Sequence, residues 1–297
     1  MRTGRGTIGV IGLDVDGTGP IMTPESRRLL DALADQGALA IERVRLVEDL
    51  DRAERAAETD RLRQALLTSI SHDLRTPLAS VLGAASTLRD LDAALPVEAK
   101  ADLLATIIEE SERLNRFIAN LLDMTRLEAG AVAPNLVLQD VGETIDTSLR
   151  RTDKVLAEHR IEIDVPANLP ALRLDPVLFE QVLVNLLDNA AKYAPEGSTV
   201  RVSARQDGAQ LHLQVLDEGE GLPDADVERV FDKFYRVRKG DRVRAGTGLG
   251  LAISRGFIEA MGGRITAANR PDRNGAVFTL TLPIPAGSRN PARDIAA

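Results

Sequence analysis

The period of the apolar residues changes several times along this chain, and each change marks an element. Residues 7–15, TIGVIGLDV, read as one apolar strand, and GTGP then signals a turn. Thr23-Pro24-Glu25 reads as a helix cap with proline in the first turn, and RRLLDALADQGALAIERVRL continues it as helix. One strand and one helix cannot bury each other's apolar faces, so residues 1–45 predict the end of a larger domain. The pattern stays helical from about Ile41 to Arg89, with a charge-rich linker at 46–61. Leu62, Leu66 and Ile70 then recur every four residues, as a packed helix face requires. Such length favours a rod with a partner.

Asp90–Val97 reads as a short connection, and a second helix is predicted from about Glu98 to Leu127, with Leu103, Ile107, Leu114, Ile118 and Leu121 on one stripe. The two stripes imply an antiparallel helical hairpin over 62–130, its open far side closed by dimerisation into a four-helix bundle. Beyond AGAVAPN the periods mix. The pattern predicts a helix near 140–157, the strand RIEIDV, and a helix from beyond Asp175-Pro176 to Tyr193. Strands TVRVSAR and QLHLQVL flank the hairpin signal Asp207-Gly208, a helix follows near 248–261, and strands fall at 263–268 and 276–282. Without regular βαβ alternation, residues 136–285 predict an α+β sandwich, and 286–297 a frayed tail. The chain is therefore read as multidomain.

Composition narrows the function classes. A formal net charge of −8 argues against a nucleic-acid binder, which needs clustered Lys and Arg. The absence of Cys removes disulfides, thiolate chemistry and Cys-based metal sites. The longest uncharged run, Asn274–Ser288, carries two prolines and falls short of a membrane span. The start, MRTGRGTIGV, lacks the apolar core of a signal peptide, so the expectation is a soluble, cytoplasmic chain with no membrane segment.

Four segments carry the candidate chemistry: NLLDNAAKY (185–193), DEGEGLP (217–223), FDKFYR (231–236) and GTGLGLA (246–252). None contains the phosphate-loop signature G-x-x-x-x-G-K-[ST]. The last is no dinucleotide fingerprint, because charged KGDRVRA stands where an apolar strand is required. A Gly-rich turn opening a helix still makes an anion site; a flexible loop and cap is the plainer reading of Gly246, Gly248 and Gly250. Asn185 and Asn189 project from one helix face in apolar surroundings, where amides need partners. Amide oxygens with phosphates and water suit Mg²⁺. Lys192 and Tyr193 add a cation for phosphate and an aromatic face for a base. Asp217 ends a strand of alternating Leu211, Leu213 and Val215, and Gly219 and Gly221 let backbone approach; its carboxylate could accept from an adenine amino group.

In order and spacing these four segments resemble the ATP-binding domain of sensor histidine kinases, a Bergerat or GHKL fold shared with gyrase-type and Hsp90-type ATPases. SHDLRTPL resembles the phosphoacceptor box of the same kinases, so the likeness covers roughly residues 60–285. SISHDLRTPLASVLGAASTL is similar to KdpD-type potassium-responsive kinases, and the N-terminal strand and helix resemble the end of the GAF domain that precedes the hairpin there. The resemblance implies ATP and Mg²⁺, with Asn189 holding the metal and Asn185 nearby. It places Lys192 on phosphate, Tyr193 on the nucleotide and Asp217 on the adenine. Gly246, Gly248 and Gly250, with Leu249 among them, flank the phosphates. Phe231 and Phe234 anchor a mobile lid over about 224–245, from which Lys233, Arg236, Arg242 or Arg244 could reach the γ-phosphate.

In this light SISHDLRTPL becomes intelligible. His72 is the expected nucleophile, and Asp73 orients it by holding the other ring N–H. Thr76, one turn on, could orient a water for dephosphorylating a partner, and Pro77 loosens the reactive turn. His159 and His212 read as ordinary surface histidines. The implied partners are a second copy of the chain and a response-regulator receiver domain, and a full-length relative would be membrane-anchored. Two other readings remain: a phosphatase-dominant or inactive dimeric scaffold, and a gyrase- or Hsp90-like ATPase. The second is disfavoured by Asn185 standing where that group has an acid.

Overall fold

The computed structural model describes residues 2–3, 6–10, 12, 23–91, 94–237 and 247–285, with backbone alone at 2–3, 52–70, 72 and 73. Two short strands, β1 (Arg2–Thr3) and β2 (Gly6–Thr7), pair antiparallel at the start. The single strand expected over 7–15 is corrected: residues 8–10 and 12 carry no strand, and 11 and 13–15 lie outside the described residues. Among the described residues of this run only Thr7 lies in a strand, and Val10 is 89% exposed.

Helix α1 (Pro24–Leu91) is one run of 68 residues, continuous through Pro77. Thr23 Oγ1 accepts the Ser26 N–H at 3.2 Å, and Pro24 opens the first turn, where no N–H donor is needed. The chain divides into two compact units within this helix, residues 1–72 and 73–297. In the second unit a connection closed by Pro96 leads into α2 (Val97–Glu128). Leu78 and Leu82 of α1, and Leu104, Ile108, Ile118 and Leu122 of α2, remain exposed at 45–59%.

After α2 come β3 (Val137–Gln139), α3 (Val141–Arg151), the single turn α4 (Asp153–Leu156), β4 (Arg160–Asp164), β5 (Leu172–Leu174) and α5 (Pro176–Tyr193). The helix expected over 140–157 is thus two helices parted at Thr152, whose hydroxyl bonds back to the Ser148 carbonyl at 2.9 Å. The pair β3–β5 was not signalled by the pattern, each strand having three residues. Then follow β6 (Thr199–Asp207), β7 (Gln210–Leu216), α6 (Gly250–Ala260), β8 (Arg264–Asn269) and β9 (Ala276–Pro283). The main sheet runs β4-β6-β7-β9-β8, parallel between β4 and β6 and antiparallel elsewhere.

Register aligns the core in rows. Val202, Val215 and Phe278 stand abreast, and so do Ala204, Leu213, Leu280 and Ile265. Helices α3, α5 and α6 cover this face with Ile145, Phe179, Leu183, Leu186, Ile253 and Phe257. The last turns of α2 join the same core: Met124 is buried in it and Leu127 packs against it. Asp123 Oδ2 accepts from Gln181 Nε2 of α5 at 2.8 Å.

Helix α5 is placed by Asp175. Its Oδ1 caps the helix through the N–H groups of Val177 and Leu178 at 3.0 and 3.1 Å, and Oδ2 takes the Asn135 N–H at 2.8 Å. Asp175→Ala therefore costs more than an ordinary cap, about 2 kcal/mol by denaturant unfolding. Asp175→Asn, whose amide oxygen can still cap the helix but whose Nδ2 cannot accept the Asn135 N–H, should recover only part of that stability.

Candidate functional site

The amides come from α5. Phe179, Val182, Leu183, Leu186, Leu187 and Ala190 are buried around that helix, leaving Asn185 and Asn189 half-buried one turn apart. Asn185 Nδ2 donates to Ser254 Oγ of α6 at 2.8 Å. The amide oxygen thereby lies against Gly250, where a Cβ would collide with it, so this close approach of α5 and α6 requires glycine. Leu249, fully buried, precedes α6 without capping it by a side chain, and its own N–H reaches Thr247 Oγ1 at 3.3 Å. The first-turn N–H groups of α6 thus stand beside the Asn185 amide, an arrangement suited to an anion. At the other end of α5, Lys192 Nζ sits 5.2 Å from the centroid of the half-exposed Tyr193 ring.

Asp217 directly follows β7 and is 4% exposed. Its Oδ1 accepts two backbone N–H groups, from Gly219 at 2.8 Å and Ala276 at 3.1 Å. Burial pushes the carboxyl pKa up, against these two bonds and the charge of Arg270. Gly219 lies so close to the end of α5 that a Cβ would stand 2.8 Å from the Tyr193 carbonyl oxygen. Beyond Gly221, the Leu222 backbone is paired by Asn269 of β8, whose Oδ1 accepts its N–H at 2.6 Å and whose Nδ2 reaches its carbonyl at 2.7 Å. The structure brings Asn185 of α5 against Gly250 of α6, and Gly219, two residues beyond Asp217, against Tyr193 at the end of the helix that also carries Asn189 and Lys192.

Phe231 is buried edge-on to Phe278, with ring centroids 6.4 Å apart, and the Arg255 guanidinium covers it at 4.0 Å. Phe234 adopts φ 61°, and its N–H donates to the Gly248 carbonyl at 2.9 Å. This bond joins the two ends of a segment of which residues 238–246, with Gly246, Arg242 and Arg244, lie outside the described residues. Lys233 Nζ is paired with Glu128 Oε1 of α2 at 2.6 Å, and Arg236 is half-buried. His72 and Asp73 fall within α1, with side chains outside the described residues, and Thr76 is exposed one turn on. His212 meets Thr281 across the sheet at 3.2 Å, and His159 Nε2 lies 3.1 Å from the Ala191 carbonyl.

Sequence reading missed Ser254, Asn269 and Arg270. A polar residue one turn after Gly250 was a faint signal for the first; the other two depend on the register of β8 and β9, which the pattern does not encode.

Comparison with known proteins matches two family models: "His Kinase A (phospho-acceptor) domain" over residues 62–130, and "Histidine kinase-, DNA gyrase B-, and HSP90-like ATPase" over residues 174–286. Sensor protein KdpD of Clostridium acetobutylicum is 36% identical over 279 residues, 93% of this chain and 30% of that protein. The chain thus spans under a third of this relative's length. Among solved structures, histidine kinase AdeS of Acinetobacter baumannii is 25% identical with a TM-score of 0.58, covering 72% of this chain and 98% of that one. Full-length ShkA in complex with AMPPNP is 28% identical with a TM-score of 0.54, covering 76% of this chain and 46% of that one. Among the described residues no helix is long and apolar enough to cross a membrane. With a phosphoacceptor domain followed by an ATPase domain of the matching fold, the chain belongs to the sensor histidine kinases.

Proposed function

We propose that this chain is the ATP-dependent catalytic core of a dimeric sensor kinase, phosphorylating itself on His72 and passing the phosphoryl group to a response-regulator aspartate. The observation that carries the reading is Asp217. Among the described residues both hydrogen bonds to its carboxylate go to Oδ1, and Oδ2 would accept the exocyclic amino group of adenine. With the base held there, the α5 amides and the α6 N-terminus would receive the nucleotide's phosphates. Tyr193 would pack on the base, Lys192 would meet phosphate, and Gly246, Gly248 and Gly250 would let backbone approach it.

The donor set also fits Mg²⁺: Asn189 would hold it beside Asn185 through neutral amide oxygens, leaving room for waters and phosphate. Bound there, the ion supplies charge neutralisation for the transferring phosphoryl group. His72 attacks the γ-phosphorus through one ring nitrogen; the N–P bond forms, the bridging P–O bond breaks and ADP leaves. Asp73 holds the other ring N–H and stabilises the imidazolium. A receiver carboxylate then attacks phosphorus and the N–P bond breaks. Thr76, exposed one turn after His72, would orient a hydrolytic water.

The exposed leucines and isoleucines of α1 and α2 support a homodimer, since a second copy would cover them. Similarity to KdpD supports reading the chain as the cytosolic transmitter of a KdpD-like, potassium-responsive sensor that is membrane-anchored in its full length.

Incubation with Mg²⁺ and γ-labelled ATP should give acid-labile, alkali-stable label. His72→Gln should give none, and Asn189→Ala should slow labelling about 100-fold or more. Label persisting in His72→Gln overturns the assignment. The raised pKa of Asp217 has a second consequence. Ionising it costs folding stability at pH above that raised value, and the cost fades as pH falls through it toward the unfolded pKa. Asp217→Asn, uncharged and isosteric, should therefore raise Tm at neutral pH, lose that gain on acidification, and weaken ATP binding by about tenfold or more.

A further inference from the structure

We propose that Arg270 is a positioning residue for base recognition: it fixes the backbone of Asp217 so that the unoccupied carboxylate oxygen meets the exocyclic amino group of adenine. The inference rests on the reading of Asp217 given above.

Arg270 directly follows β8, and its side chain is 3% exposed. Nη1 donates to the Asp217 carbonyl oxygen at 3.2 Å, while Nε and Nη2 fork onto the Asp272 carboxylate at 3.1 and 2.9 Å. Asp272 also takes Arg273 Nε at 3.0 Å, and Arg273 Nη1 reaches Glu218 Oε1 at 2.8 Å. Glu218 Oε2 in turn accepts the Thr199 N–H of β6 at 3.0 Å. Two consecutive residues at the end of β7 are thus each gripped by an arginine of the β8–β9 loop, and Asp272 ties the two arginines together. The loop closes tightly there: the Arg270 N–H donates to the Gly275 carbonyl at 2.9 Å, and a Cβ on Gly275 would run into the Asp217 carbonyl oxygen.

A tight turn does not need a buried guanidinium, which is costly to desolvate and here requires a carboxylate of its own. What Arg270 adds is a donor for a strand-end carbonyl and a positive charge beside a carboxylate that, ionised, keeps both of its oxygens as acceptors. Burial of Asp217 works against ionisation, and Arg270 opposes that effect. Asp272 is held well below the usual carboxylate range, first by its hydrogen bond from Arg270, so the neutralising partner stays charged. A lysine, a single point donor, could not hold the carbonyl and fork onto Asp272 together.

The test compares ATP with purine riboside triphosphate, which lacks the exocyclic amino group, on the full chain. The unmodified protein should prefer ATP. Arg270→Met should reduce that preference about tenfold, through a higher KM for ATP, while binding of the purine analogue changes about twofold or less. In the Asp217→Asn background the same substitution should remove no further preference. If Arg270→Met does not fold, Asp272→Asn, at a half-exposed position, should reduce the preference about threefold. A folded variant of either kind that keeps the full preference for ATP, or loses both nucleotides equally, overturns the proposal. An unmodified chain with no preference for ATP would instead overturn the reading of Asp217 itself.

Discussion

Helix α5 lies between the five-stranded sheet, α3 and α6, with Phe179, Leu186 and Leu187 almost wholly withdrawn from water. Each such side chain contributes on the order of 2 kcal/mol by its burial. Rotating the helix to bury Asn185 would expose a leucine and strand an amide in the same movement. The hydrophobic contact therefore fixes the helix azimuth, and the azimuth decides where the amides sit. Because α6 packs on the same helix, its N-terminal glycine meets Asn185. Because β7 runs beneath, Asp217 emerges where α5 ends. Three polar features distant in sequence are assembled by a core that contains none of them.

The core was readable because its periods are strong. The Asp175-Pro176 start of α5, the alternating strands β6 and β7, and the glycine opening of α6 follow from local pattern and turn chemistry. Residues 8–10 and 12 show where this fails, since apolar character alone does not make a strand. The strands β3 and β5 escaped because three residues cannot display an alternation. At the site, residues whose type suggests chemistry stood out, whereas Ser254, Asn269 and Arg270 did not. Their work is to hold other residues, and whom they hold depends on helix packing and strand register. Arg270 reaches Asp217 because β9 lies between β8 and β7, a fact of topology.

The end of α2 is a further consequence of the same core. Met124 and Leu127 enter it, Asp123 binds α5, and Glu128 binds Lys233 near the Phe231–Phe234 segment. The last two turns of α2 thus touch the amide-bearing helix and the base of the segment that the Phe234–Gly248 bond closes. The phosphoacceptor and ATPase domains are joined by contacts as well as by chain. Most of this joint is apolar and half-exposed ion pairs, and exposed pairs contribute at most about 1 kcal/mol each.

On this reading a nucleotide occupies the space bounded by the α5 amides, the first turn of α6 and Asp217. This is tested most directly by titrating isotope-labelled protein with the magnesium complex of a non-hydrolysable ATP analogue and following backbone amide resonances. Saturable shifts are expected at Gly219, Asn189, Gly250 and Leu251, with the sheet residues beneath them unmoved. Saturable shifts elsewhere, with those four amides unchanged, would contradict it.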